Sequence, residues 1–174
     1  MALMEAIMAF TLLSPTFLDQ GPMPTRSTAE GANQSPTLEW QNAPEGTKSF
    51  ALIVDDPDAP DPSAPKMVFV HWVLFNIPAN VSRLGEGVIH LPEGTREGLN
   101  DRQETGYTGP KPPIGQHRYF FKLYALDTTL DLAGTPTKPE VLKAMEGHVL
   151  AQATLMGTYY LQHACGCGSS CGCH

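Results

Sequence analysis

Phe50-Ala51-Leu52-Ile53-Val54-Asp55-Asp56-Pro57-Asp58-Ala59-Pro60 is an apolar run that stops abruptly in acid and proline. The run Phe50–Val54 is too short for a helix and fits a strand buried on both faces. Pro57, Pro60, Pro62 and Pro65 follow closely, so a turn over Asp56–Pro65 is expected to end the strand. X–Pro bonds adopt cis at low cost in dense turns. A cis Ala59–Pro60 bond, helping to aim Asp56 inward, is expected here.

Two further runs resemble the first. Val68–Asn76 places Phe69, His71, Val73 and Phe75 on one face and Val70, Trp72 and Leu74 on the other. His117–Leu126 places His117, Tyr119, Phe121, Leu123 and Ala125 together, with Arg118, Phe120, Lys122, Tyr124 and Leu126 opposite. Val68–Asn76 is apolar on both faces, so it is expected to lie between packed layers. Phe17, Leu38 and Trp40 are expected core anchors in a stretch of short strands and turns. Val88–Leu91 is a candidate short strand, and Leu99–Gly115, rich in Gly and Pro, a long shaped loop. The one clear helix begins at Thr137-Lys138-Pro139-Glu140, a capping box with proline in the first turn. Val141, Leu142 and Met145 form its apolar face and Gly147 stops it. His148–Tyr160 is expected to be the last strand.

The chain has 174 residues, 16 Gly and 16 Pro, which favours many turns and short strands over a helix bundle. A formal charge of −7 without a Lys/Arg cluster excludes a nucleic-acid footprint. No stretch approaches the roughly twenty apolar residues of a membrane helix. Met1–Phe10 is apolar but lacks a basic flank and carries Glu5. It reads as a mature N-terminus, and a cytoplasmic location is expected.

Chemistry-bearing residues gather where the strong strands meet loops. His117 and Tyr119 leave one strand face together, Asp56 ends the first run and His71 lies within the second. Adjacent strands would let the four converge. Two imidazoles, a phenol and loop N–H groups suit a phosphate or carboxylate, and an aspartate would fix one histidine's tautomer. Gly109 permits close backbone approach, and the prolines of Gly109-Pro110-Lys111-Pro112-Pro113 stiffen a wall. Asp58 reads as the cap of its own turn and Arg118 as a structural ion-pair residue. Phe69, Trp72 and Phe121 read as core, and Trp40, Phe69, Trp72, Phe121 and Tyr124 as the largest stabilising contributors. The same residues could serve a hydrolase with His71 or His117 as base, or ligate zinc. Neither a Gly-x-Ser-x-Gly elbow nor a His-Glu-x-x-His motif accompanies them, so a binding protein rather than an enzyme is expected.

Asp56-Pro57-Asp58-Ala59-Pro60 with His71-Trp72, and Gly115-Gln116-His117-Arg118-Tyr119, resemble the two signature blocks of the phosphatidylethanolamine-binding protein family. The resemblance is closest to its bacterial and archaeal Raf-kinase-inhibitor-like branch. Asn33-Gln34-Ser35-Pro36, Asn100-Asp101, Phe120–Tyr124 and Met156–Tyr159 add to it, and it spans about Phe10 to Tyr160. It implies a mainly β fold of packed antiparallel sheets with one or two short helices. It also implies an anion pocket built by Asp56, His71, Gly109, Pro110, His117 and Tyr119. Ligands implied are a phosphate-containing small molecule or phospholipid head group. A kinase- or serine-protease-inhibitor role acting through loops near Pro60 and Pro112 is the alternative.

The resemblance stops before the end of the chain. Residues 1–162 are expected to form the domain and residues 163–174 a separate tail. Cys165, Cys167, Cys171 and Cys173 all lie in that tail as two Cys-Gly-Cys pairs. Paired soft thiolates of this spacing suit Zn or Cu(I), and the domain is expected to fold without them.

Overall fold

Ser49–Ala59 (β3) lies at the centre of a five-stranded antiparallel sheet in the computed structural model, which describes residues 8–161. Before it come Thr11–Leu13 (β1) and Leu38–Gln41 (β2); after it come Met67–Pro78 (β4), Arg83–Leu84 (β5), Arg96–Glu97 (β6), Gln116–Leu126 (β7), helix Lys138–Met145 (α1) and Val149–Tyr160 (β8). The large sheet runs β6-β4-β3-β7-β8, and β1-β2-β5 form a smaller antiparallel sheet. The fold is therefore mainly β, with α1 as the single α-helix among the described residues. The cysteine tail and its metal assignment lie outside those residues.

Alternation along the strands builds two cores. Phe50, Leu52 and Val54 join Trp72, Leu74, Phe121 and Leu123 on one face, beneath Leu12, Leu38, Trp40 and Leu84 of the small sheet. Ala51, Ile53, Val73 and Phe75 occupy the other face, covered by Val141 and Met145 of α1 and by Leu130. Phe17, Leu38 and Trp40 are buried, as expected. The helix begins at its expected capping box, Thr137 with Glu140. Asp55 ends the second-face row. It is buried and accepts bonds from Lys122 (3.1 Å) and Lys138 (2.7 Å), which ties α1 to the sheet.

Several expectations are corrected. The strand does not stop at Asp56 but continues to Ala59, with Asp56 opposite Phe69 and Ala59 opposite Met67. Three steps on β3 match two on β4, so the Pro57 segment is absorbed as a bulge. The turn shrinks to the residues after the cis Ala59–Pro60 bond and closes with Lys66 N–H on Ala59 O (2.8 Å). Val88–Leu91 is not a strand. Val88 and Leu91 pack on the core while Ile89 is exposed, a spacing that does not alternate. Phe69 is only half-buried and Tyr124 likewise; Phe50 and Phe75 are the fully buried aromatics that replace them as core contributors.

The correction that matters most concerns β4. Val54 pairs with Trp72 and Asp55 with Val70, leaving His71 as an extra residue. This bulge returns Val70 to the face of Val73 and Phe75. His71, expected on that face, turns instead toward Tyr119, ring centroids 5.2 Å apart. A bulge costs one ladder position and re-aims one side chain.

Candidate functional site

One end of the first core opens into a cavity of about 290 Å³. Asp56 continues the row of Phe50, Leu52 and Val54; Tyr119 and His117 continue that of Phe121 and Leu123; His71 joins through its bulge. Gly109 lines the wall with Lys111, Pro112 and Pro113, and Phe69 and Met67 form the opposite apolar side. The structure thus brings together Asp56, His71, Gly109, His117 and Tyr119. Pro110 does not line the cavity: it is buried behind the wall, its carbonyl accepting Ala29 N–H (2.9 Å).

The loop between β6 and β7 orients this wall. Its N–H groups at Gly98, Asp101 and Thr108 bond the outer edge of β4 at Val73, Val70 and His71. The Asp101 carboxylate also accepts Val70 N–H (2.7 Å). Buried Asn100 shapes the turn: its amide donates to Gly106 O (3.0 Å) and its oxygen accepts Arg102 N–H (2.9 Å). Gly109 N–H donates to the Asn33 side chain at 2.6 Å. A Cβ on Gly109 would meet Ser27 O at 2.6 Å and Asn33 Oδ1 at 2.7 Å, so only glycine allows this approach.

The two histidines play different parts. His117 Nε2 faces the carbonyls of Ile114 (2.9 Å) and Pro60 (3.1 Å), so that nitrogen carries hydrogen. His117 Nδ1 lies 2.6 Å from Asp56 Oδ2, a hydrogen bond between two buried side chains. Asp56 Oδ1 accepts Asp58 N–H (2.7 Å). Burial raises the Asp56 pKa, partly offset by the His117 hydrogen bond. Both His117 nitrogens are thus satisfied internally. The sequence reading of two donating imidazoles gives way to one bracing pair and one free ring.

His71 is that free ring. Its Nδ1 lies 2.7 Å from Thr108 O, while Nε2 is buried without a hydrogen-bond partner among the described residues. Desolvation pushes its pKa down to about 4, so the ring is neutral near pH 7. Burial likewise raises the Tyr119 phenol far above its ordinary range, keeping it a neutral hydroxyl. Arg102 and Lys111, both exposed, supply the positive charge at the cavity. Arg102 escaped the sequence reading because it reaches the cavity only through the Asn100 turn, which no periodicity reveals. Phe69 was read as core and is instead a wall packed on His71, at 4.8 Å.

Asp58 also differs from expectation: the turn-capping carboxylate is Asp56. Asp58 holds Arg118 through Nε (2.9 Å), Nη2 (2.8 Å) and the backbone N–H (2.9 Å). The Arg118 side-chain bonds lower its pKa. A lowered folded-state pKa contributes stability that is present above the unfolded value of about 3.9 and lost as pH falls through the folded value. Asp58→Asn should cost about 1 kcal/mol at neutral pH, since Arg118 is exposed. Urea unfolding should show the deficit vanishing at strongly acid pH.

The chain thus folds as two antiparallel sheets with a small cavity at one end of the larger one. A family model for phosphatidylethanolamine-binding protein matches residues 13–160, and the chain belongs to that family. A UPF0098 protein of Methanothermobacter thermautotrophicus is 51% identical over 151 residues, 85% of this chain and 97% of the relative. The crystal structure of a Chlamydia trachomatis phosphatidylethanolamine-binding protein homologue superposes with a TM-score of 0.81 at 39% identity, covering 87% of this chain and 97% of that one. Escherichia coli YbcL, a member of the mammalian family, gives 0.79 at 33%, covering 87% and 98%. No helix among the described residues is long and apolar enough to cross a membrane.

Proposed function

We propose that the cavity binds a phosphate-containing small molecule or phospholipid head group, and that the protein acts by binding rather than turnover. The carrying observation is the buried, unpartnered His71 Nε2 at a cavity flanked by Arg102 and Lys111. In a chain of net charge −7, two cations converging on one concave site favour an anion there. The volume, about 290 Å³, is at the small end for ligand pockets and suits a head group rather than a whole lipid. The Tyr119 hydroxyl suits a phosphate oxygen, whereas the wall offers no Gly109 N–H, which Asn33 already holds.

Binding without turnover is supported by the lining, which offers no serine, threonine or cysteine among the described residues. Asp56 is engaged by His117, so it does not activate His71. A histidine pushed down to about pKa 4 is also a weak base near neutrality.

Calorimetric titration with O-phosphoethanolamine tests this. His71→Ala should weaken binding roughly ten- to hundredfold, the value of a hydrogen bond to a charged group. Arg102→Ala and Lys111→Ala should each weaken it a few-fold and flatten its salt dependence. Affinity untouched by His71→Ala would place the ligand elsewhere. Hydrolysis of a phosphoester that is lost in His71→Ala would make the protein an enzyme.

A further inference from the structure

His71 offers the cavity an acceptor, not a donor. Thr108 O can only accept, so the 2.7 Å contact puts the single hydrogen of the neutral ring on Nδ1. Nε2 then presents a lone pair, and nothing among the described residues donates to it. Its charged and titratable surroundings are few. Asp55 and Asp56 approach from β3, His117 and Tyr119 from β7, and Arg102 and Lys111 from the loop. Asp55 is held by two lysines, and both His117 nitrogens are committed to Asp56 and two carbonyls. Arg102 and Lys111 draw an anion in, but a fully deprotonated oxygen beside Nε2 would set lone pair against lone pair.

Resting on the phosphate-site reading above, we infer that the cavity selects phosphomonoesters or inorganic phosphate in the singly protonated form, whose P–OH donates to His71 Nε2, over phosphodiesters and carboxylates. A monoester monoanion carries both the charge that Arg102 and Lys111 attract and the hydrogen that Nε2 lacks. A diester carries the charge without the hydrogen. It can bind well only if His71 itself takes a proton from solvent, against the burial that holds its pKa near 4. Phospholipid head groups joined through diesters are therefore the poorer ligands.

The two cases have different pH signatures. A monoester loses its second proton near pH 6. Below that point the binding form is already dominant and affinity should be flat. Above it, each complex must take up one proton, and affinity should fall roughly tenfold per pH unit. A diester would instead show that slope across the whole range above about pH 4, because the proton must go to His71.

The experiment is calorimetric titration of the full chain with O-phosphoethanolamine, inorganic phosphate and dimethyl phosphate. It is run from about pH 5 to pH 8, in paired buffers of different ionisation enthalpy to count protons. The expected result is a break in the O-phosphoethanolamine profile at that ligand's own second pKa and no break for inorganic phosphate, whose dianion keeps a P–OH to donate to His71 Nε2. Uptake should approach one proton per ligand above the break, and dimethyl phosphate should bind at least about tenfold more weakly at pH 6. In His71→Gln, whose amide can donate as well as accept, the slope above the break should disappear. Equal affinity for the diester, or a monoester profile without break or proton uptake, would overturn the inference while leaving the phosphate site standing. Absence of heat with every phosphate compound would overturn both. If His71→Gln does not fold, the profile of the unaltered protein still decides.

Discussion

His117→Ala should destabilise the protein by about 3–5 kcal/mol near neutral pH, and the deficit should shrink on acidification. The substitution removes one side of a buried pair 2.6 Å long and leaves the Asp56 carboxyl without its counterpart. It also removes the hydrogen shared by the Ile114 and Pro60 carbonyls. Burial already raises the Asp56 pKa, and the His117 hydrogen bond and charge are among the few influences lowering it. Without them it must climb further. A carboxyl with a raised folded-state pKa binds a proton that the unfolded chain has released. Stability therefore falls as pH rises from the unfolded value, about 3.9, through the folded one. Urea unfolding from about pH 4 to pH 8 should show the difference between variant and parent growing with pH. A constant difference would mean that Asp56 is not left charged when its partner goes. Asp56→Ala added to His117→Ala should recover part of the loss, because the stranded acid is then absent.

That pairing explains why the site was only partly legible in the sequence. Asp56, His117 and Tyr119 follow from strand alternation alone, since each extends an apolar row whose period is fixed. His71 does not. Alternation assigned it to the face of Val73 and Phe75, and only the extra residue between Val70 and Trp72 moves it into the cavity. A bulge arises from two registers competing across a sheet, a property of neighbours rather than of one run. The same limit hid the roles of the two histidines. Which nitrogen meets a carbonyl depends on where Thr108, Ile114 and Pro60 place their backbones.

Loops divided along similar lines. The glycine and proline of residues 109–113 marked a wall, and a wall is there. Arg102 was invisible because its position depends on Asn100 bonding Gly106 and Arg102 across a turn. The motif Asn33-Gln34-Ser35-Pro36 counted in the sequence only as part of a resemblance. The structure supplies its physical purpose, Asn33 anchoring Gly109 from a distant segment. Strand limits were legible where apolar runs ended in turn residues. They failed at Asp56–Ala59, where a bulge lets proline remain inside the strand.

Phe121→Ala should be the most damaging substitution outside the cavity, costing about 3–5 kcal/mol. Phe121 is fully buried in β7, which pairs with both β3 and β8, and it lies opposite Val54 on one side and Leu155 on the other. Its ring packs at 5.7 Å on Phe17, from the segment that crosses this face before the small sheet's second strand. Strands β3 and β7 are hydrogen-bonded on both sides and cannot collapse into the space, so the lost contacts are not regained. For a chain of this size the loss corresponds to a melting temperature lower by about 10 °C. Phe17→Ala should cost less, because Phe17 lies in a connecting segment outside the strands rather than in a strand paired on both sides. The double variant should fall short of the sum, since each ring forms the other's packing surface. Tyr119 is two residues along the same row, and His117 four. A void at Phe121 should therefore also weaken ligand binding by loosening the strand end that carries both. Guanidinium unfolding of the three variants, with phosphate-compound titration of each, checks the argument. Additive losses, or full affinity in a destabilised Phe121→Ala protein, would show that core and cavity are mechanically separate.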